Sequence, residues 1–200
     1  MTTPADSVAP ESPRQYFRRH LQCHTSSAAD LAWYLDQSVP RFAGSAEVKL
    51  AVEEVVDRLG DFLGFSTSRT DDDEYSVWAS PTGQHLIVWT MDATRVVARV
   101  GAGAHTRDRL LASIAVDSDE RLTCLYVLCG AVNERLLNEA VGLRRASGHV
   151  RLLTIDALSA LTGLAESLSL THDQVVAVLR PASALADTTV ALLQLPPKRR

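Results

Sequence analysis

The strongest period in the chain lies between residues 45 and 64. Val48, Val52, Val55, Leu59 and Phe62 fall on one stripe, with Val56 and Leu63 beside it. That is the spacing of a helix with one side against a core. Glu47, Glu53, Glu54, Asp57, Arg58 and Asp61 take the other side, which predicts a solvated face. Ser45 is placed to cap this helix and Gly64 to stop it. Two shorter helices are predicted before it. The first covers residues 14–24. The second begins at Ser27, whose hydroxyl can cap it while Asp30 sits at the third helical position. Leu31, Tyr34 and Leu35 give it an apolar side, and Pro40 ends it.

After Gly64 the period becomes that of strands. Residues 65–70 form a short candidate, and 74–80 a second, rich in aromatic and β-branched side chains. Ser80-Pro81-Thr82-Gly83 has proline and glycine where a tight turn wants them. Residues 85–90 then return as the other arm of a hairpin, and 95–100 extend the sheet. The second half alternates. Thr106 caps a helix through 115, and 122–128 is a near-continuous apolar run. Residues 133–146 are helical, 150–155 form another buried strand, and 156–164 are helical. Thr171 with Gln174 makes a capping box for a last helix that ends before Pro181. Apolar runs without alternation belong to strands covered on both faces, which implies parallel pairing. The expected fold is therefore α/β, a mixed central sheet flanked by helices with an N-terminal helical extension. Residues 1–13 read as a disordered tail, 14–44 as the extension, 45–195 as the α/β domain and 196–200 as a basic tail.

Composition narrows the classes. The chain has 200 residues, 46% hydrophobic and 22% charged, ordinary values for a globular protein. No apolar run approaches the roughly 18–20 residues of a membrane span. The first thirteen residues are polar and lack the apolar stretch of a secretory leader. Cys23, Cys124 and Cys129 are an odd number without framework spacing, so they read as reduced thiols in a cytoplasmic protein. A net charge of −4 argues against strong non-specific nucleic-acid binding over the whole surface, although a local basic patch can still bind. The basic residues are 18 arginines and two lysines, Lys49 and Lys198.

Three stretches resemble the restriction-endonuclease-like, PD-(D/E)xK superfamily, and its Mrr-like members in particular. They are the helix closing in 58–65 with Leu63-Gly64-Phe65, the hairpin from Tyr75 through Gly83 into Leu86-Ile87-Val88, and residues 150–158. The resemblance covers about 46–164. It implies an acidic residue on the second strand, and an acidic residue plus lysine on the third, which together hold Mg²⁺ and activate a water. Aligning the hairpin puts Ser76 at the first acidic position and Trp89-Thr90-Met91 across the acidic-x-lysine positions. Ser76, Trp89 and Met91 supply neither an anionic ligand nor an ammonium. A shifted register can draw on Asp73 or Glu74 and on Asp92, with Glu54 as a helix carboxylate. It cannot supply a lysine, since none lies between Lys49 and Lys198.

The expectation is thus a catalytically degenerate nuclease-like domain without a cofactor, with a binding or assembly role in a bacterial-type DNA-processing or defence system. The competing expectation is an active Mg²⁺-dependent endonuclease with displaced carboxylates, and a third is an unrelated α/β domain with a structural role. Other features carry milder readings. Asp71-Asp72-Asp73-Glu74 reads as a solvated turn. Glu53 and Glu54 lie on the polar stripe and read as surface residues. His20, Cys23 and His24 share one side of a helix at ligand spacing but lack the second close pair of a structural zinc site. Gly101-Ala102-Gly103-Ala104 lacks the spacing of a phosphate loop. Arg14, Arg18 and Arg19, like Arg144 and Arg145, form basic helical clusters. Tyr16, Phe17, Trp33 and Tyr34 join the first group in a set typical of interface anchors. A protein partner or a second copy of the chain is expected to dock there, with packing onto the chain's own core as the alternative. Nucleic acid is a further expected partner, and a membrane is not.

Overall fold

The computed structural model describes residues 11–42, 44–69, 74–95, 122–132, 149–180 and 190. The helix predicted over 106–115, the helix over 133–146, the strand extension past Arg95, and Gly101 and Gly103 lie outside them. So do Asp71, Asp72, Asp73, Arg144 and Arg145.

Three helices come first: α1 (Pro13–His24), α2 (Ala28–Ser38) and α3 (Ala46–Phe62). Their starts follow the sequence closely. Ser27 accepts from the Asp30 N–H while Asp30 bonds back, and Ser45 accepts from the Val48 N–H. Gly64 stops α3 at φ +87, with its N–H on the Asp61 carbonyl and the Phe65 N–H on the Gly60 carbonyl. A left-handed residue at this point suits glycine.

The strands are β1 (Ser66–Ser68), β2 (Ser76–Ala79), β3 (His85–Asp92), β4 (Leu122–Cys129) and β5 (Val150–Thr154). They form one sheet in the order β1-β2-β3-β4-β5. The first three pair antiparallel, and β3, β4 and β5 pair parallel. Every residue of β4 is buried, as its unbroken apolar run requires of a strand with both faces covered. Helices α4 (Ile155–Leu168) and α5 (His172–Leu179) follow, α5 with the capping box expected at Thr171. The arrangement is α/β, a mixed sheet flanked by helices, as the sequence predicts.

Alternation along the strands divides the core. Trp78, Leu86, Val88, Leu125, Val127 and Leu153 face α3 and α4. Ile87, Trp89, Met91, Cys124, Tyr126 and Leu152 form a second cluster on the other face. Helix α3 lies close against β2 at Gly60, where a Cβ would come 2.7 Å from the Trp78 ring. The two N-terminal helices are part of the first core rather than an unattached docking arm. Leu21, Leu31 and Leu35 are buried in it, and α1 and α2 both pack on α3.

That packing overturns the reading of Glu53 and Glu54 as surface residues. They are 3% and 1% exposed, and Asp57 is 3% exposed. This middle part of the polar stripe faces α1 and Arg69 instead of water, while Glu47 stays exposed.

Candidate functional site

Arg14 reaches from α1 to both glutamates, with Nη1 2.8 Å from Glu54 Oε1 and Nη2 2.8 Å from Glu53 Oε2. Arg18 adds its Nε at 2.7 Å from Glu54 Oε2. Burial works against the charge of Arg14, but its bonds to Glu53 and Glu54 more than offset this and hold its pKa above the ordinary value. The bond to Glu54 raises Arg18 likewise. Arg69 comes from the end of β1, with Nε 2.9 Å from Asp57 Oδ2 and Nη1 3.5 Å from Glu53 Oε2. The other Asp57 oxygen accepts from the Ser76 hydroxyl and, at 3.0 Å, from Trp78 Nε1. The three buried α3 carboxylates, Glu53, Glu54 and Asp57, are therefore engaged by guanidinium groups, and Asp57 has further donors from the sheet. Lys49 reaches Glu53 at 3.6 Å from a half-exposed position.

The pairing register separates the positions that the resemblance groups together. Ser76 pairs with Val88, so Val88 and Thr90 are the β3 side chains on the Ser76 face. Trp89 and Met91 lie in the second cluster. There Trp89 stacks on Tyr126 with ring centroids 4.9 Å apart, and Tyr75 stands 5.7 Å from it. The Trp89 indole is thus on the face opposite Ser76. An acidic-x-lysine pair would be Val88 with Thr90 on one face, or Trp89 with Met91 on the other. Neither pair contains a carboxylate or an amine.

Where β3 ends beside the start of α3, a cavity of about 310 Å³ is lined by Lys49, Glu74, Trp89, Thr90, Asp92 and Arg95 among others. Two of the displaced-ligand candidates, Glu74 and Asp92, meet here. Glu54 does not line it, and Asp73 lies outside the described residues. Asp92 Oδ1 accepts from the Thr94 N–H at 2.8 Å. Thr90 is 4% exposed, and its Oγ1 has no hydrogen-bond partner among the described residues. Sequence reasoning missed Lys49 as a cleft residue. It sought a lysine on the strands, whereas this one comes from the first turns of a helix placed over the strand end.

Mg²⁺ is the ion that the resemblance implies, and the donor set does not fit it. A hard cation needs several anionic or carbonyl oxygens converging on it. Among the described residues the aligned strand positions offer none, Glu53, Glu54 and Asp57 are held by arginines, and the cavity has Glu74 and Asp92. Among the described residues no group of three His, Cys, Asp or Glu side chains is placed to hold a metal. His20, Cys23 and His24 make no such group either. His20 Nε2 lies 3.1 Å from the Tyr34 hydroxyl, its ring stacks on His24 at 4.2 Å, and Cys23 is exposed. Among the described residues no helix is long and apolar enough to cross a membrane.

No family model and no curated protein matches the chain. Among solved structures the likeness is to the restriction-endonuclease class of α/β fold. Similar structures include the restriction endonuclease FokI and FokI bound to DNA, each with a TM-score of 0.53 at 12% identity over 85% of this chain. The matched part is 34% and 33% of those chains, so this chain spans about a third of their length. At this identity the likeness shows the fold.

Proposed function

We propose that the chain is a catalytically inactive restriction-endonuclease-like domain that acts by binding or assembly in a bacterial-type DNA-processing or defence system. The observation that carries this is the fate of the carboxylates. Glu53, Glu54 and Asp57 are buried and neutralised by Arg14, Arg18 and Arg69. Arg69 brings a fixed positive charge to Asp57, so the α3 acids need no metal to balance them. The strand positions that would carry metal ligands and lysine hold Ser76, Val88 and Thr90, or Trp89 and Met91. The binding surface is read from α1 and α2, where Tyr16 and Trp33 remain 60% and 62% exposed and Arg19 lies over the Tyr16 ring. Aromatic and arginine side chains together suit a protein partner or a second copy of the chain. Nucleic acid is the other partner class, proposed from the fold that the chain shares with a DNA-bound endonuclease.

A second reading, an active metal-dependent endonuclease with displaced carboxylates, is favoured by one observation: Glu74, Asp92 and Lys49 line the same cavity. One assay separates the two. The full chain is incubated with duplex and single-stranded DNA in Mg²⁺ or Mn²⁺, beside a variant with Asp73, Glu74 and Asp92 all changed to alanine. No cleavage is expected. Metal-dependent cleavage that disappears in the triple variant would establish the displaced-ligand nuclease. Light scattering of the full chain against a Tyr16→Ala/Trp33→Ala variant, with DNA titrated separately, then identifies the partner class.

A further inference from the structure

A second constellation lies away from the α3 acids and the β3 cavity, where the hairpin meets the start of α5. Ser80 follows β2 and opens the turn to β3, with the Gly83 N–H 3.0 Å from its carbonyl. Its Oγ lies 2.7 Å from His172 Nε2. The other ring nitrogen, Nδ1, lies 2.9 Å from the Leu63 carbonyl oxygen. A carbonyl only accepts, so Nδ1 carries the proton, and in the neutral ring Nε2 is the acceptor. The Ser80 O–H therefore donates to Nε2. This is a nucleophile beside a base, with the base fixed by a third group.

The surroundings hold the imidazole in that pose. Phe65 meets its ring edge-on, with centroids 4.7 Å apart. Gly64 leaves room for it, because a Cβ at that position would come 2.9 Å from His172 Nδ1. With its O–H directed at His172, Ser80 Oγ accepts from the Thr82 N–H at 3.1 Å and the Thr82 hydroxyl at 2.7 Å. Both donors favour the charge that develops on this oxygen as its proton leaves. Thr82 is exposed, so its hydroxyl can turn to water and release the lone pair that attack requires. Ser80 also lines an open cavity of about 430 Å³ with Gly64, Phe65, Ser66, Ala79 and Pro81. That lining is mostly apolar and carries no charge, which suits a small uncharged acyl group.

We propose that Ser80 and His172 form a metal-independent acyl-transfer site for small carboxylic esters, separate from the nuclease-like reading and not resting on it. Ser80 Oγ bonds to the ester carbonyl carbon as its proton passes to His172 Nε2. The tetrahedral adduct then collapses, the bond from carbon to the alcohol oxygen breaks, and His172 returns the proton to that oxygen. The products are the alcohol and acyl-Ser80. Water then attacks the acyl carbon as His172 Nε2 takes its proton, the bond from carbon to Ser80 Oγ breaks, and His172 returns the proton to Oγ, giving the carboxylic acid and free serine.

The test uses the full chain with Cys23→Ser, since an exposed thiol also accepts acyl groups. The probe is p-nitrophenyl acetate, read as nitrophenolate release and by peptide mass mapping. The expected result is an initial burst with one acetyl group mapped to Ser80. Ser80→Ala abolishes it, and Ser80→Cys restores acylation on the thiol. His172→Gln slows it on the order of 10²–10⁴-fold, the usual contribution of a positioned base. Absence of an adduct on Ser80 in the folded chain overturns the proposal, and so does a burst that survives Ser80→Ala. If Ser80→Ala loses its far-UV circular dichroism, mapping on the parent chain and the His172→Gln rate decide.

Discussion

Arg69 Nε lies 2.9 Å from Asp57 Oδ2, with the arginine side chain 0% and the aspartate 4% exposed. The same carboxylate holds Ser76 and Trp78 through its other oxygen, so one side chain joins α3 to β1 and β2. Asp57→Ala is expected to cost about 3–5 kcal/mol, the usual result of leaving one partner of a buried ion pair uncompensated. Changing Arg69→Met together with Asp57→Leu should cost less than the two single changes added. Urea denaturation of the four proteins in this cycle checks it, and additive losses would mean that the pair is not coupled.

The arginines of α1 should differ by exposure. Arg14 has a side chain 9% exposed and touches both glutamates, Arg18 is 33% exposed, and Arg19 meets Glu11 at 61%. The loss of stability on change to alanine is expected in the order Arg14, Arg18, Arg19, with Arg19 within about 1 kcal/mol of the parent, as for most surface pairs. Thermal melts at low and high salt give the ranking. An Arg19 effect as large as that of Arg14 would contradict burial as its cause.

These residues also show where sequence reading stops. The stripe of Val48, Val52, Val55 and Leu59, the caps at Ser27, Ser45 and Thr171, the hairpin and the buried runs of β4 and β5 were all legible, because each is a local pattern. Glu53, Glu54 and Asp57 were not. Periodicity assigns a charged stripe to water, and it cannot see that α1 and Arg69 bring guanidinium groups to that stripe. The face taken by Trp89 depends on the pairing of Ser76 with Val88, a one-residue choice that hydrophobic pattern leaves open. Ser80 and His172 are 92 residues apart, with no local signal to join them.

Thiol reactivity should divide sharply. Cys23 is exposed, while Cys124 and Cys129 are buried. Burial, with the charges of Asp92 and Asp156 nearby, pushes the Cys129 thiol up to about 12, so almost no thiolate forms there near neutral pH. A chromogenic disulfide reagent should titrate Cys23 alone in the native chain and all three thiols in denaturant. Rapid native reaction at Cys129 would disprove the enclosed second strand of the parallel set.

Asp61 gives a stability change with a definite sign. Burial raises its carboxyl above the ordinary 3.8, opposed by the Thr67 hydroxyl and the Arg58 charge. The folded chain therefore holds this proton more tightly than the unfolded chain does. Its contribution is fully present below 3.8 and is lost as pH rises through the raised value. Asp61→Asn removes that titration and keeps an oxygen for Thr67. Relative to the parent, the variant should gain stability as pH rises from 3.8 into the mildly acid range. Urea melts across that range test it, and a relative loss with rising pH would reverse the assigned cause.

Metal binding tests the two nuclease readings before any cleavage is measured. A ligand that binds only the folded chain stabilises it by an amount set by its excess over Kd, about 2.7 kcal/mol at a hundredfold excess. Hard cations take that affinity from converging oxygens. Glu53, Glu54 and Asp57 cannot offer theirs without displacing Arg14, Arg18 and Arg69, and the β3 cavity has Glu74 and Asp92 with Lys49 and Arg95 among them. Two cations in the same cavity lower its attraction for a third. Millimolar Mg²⁺ or Mn²⁺ is therefore expected to leave the melting temperature of the full chain unchanged, relative to an ionic-strength-matched control. A rise with metal that disappears in Glu74→Gln/Asp92→Asn would assign the cation to that cavity and favour the displaced-carboxylate enzyme. A rise that persists in that variant but is lost in Asp57→Asn would place it on α3 and refute neutralisation by Arg69.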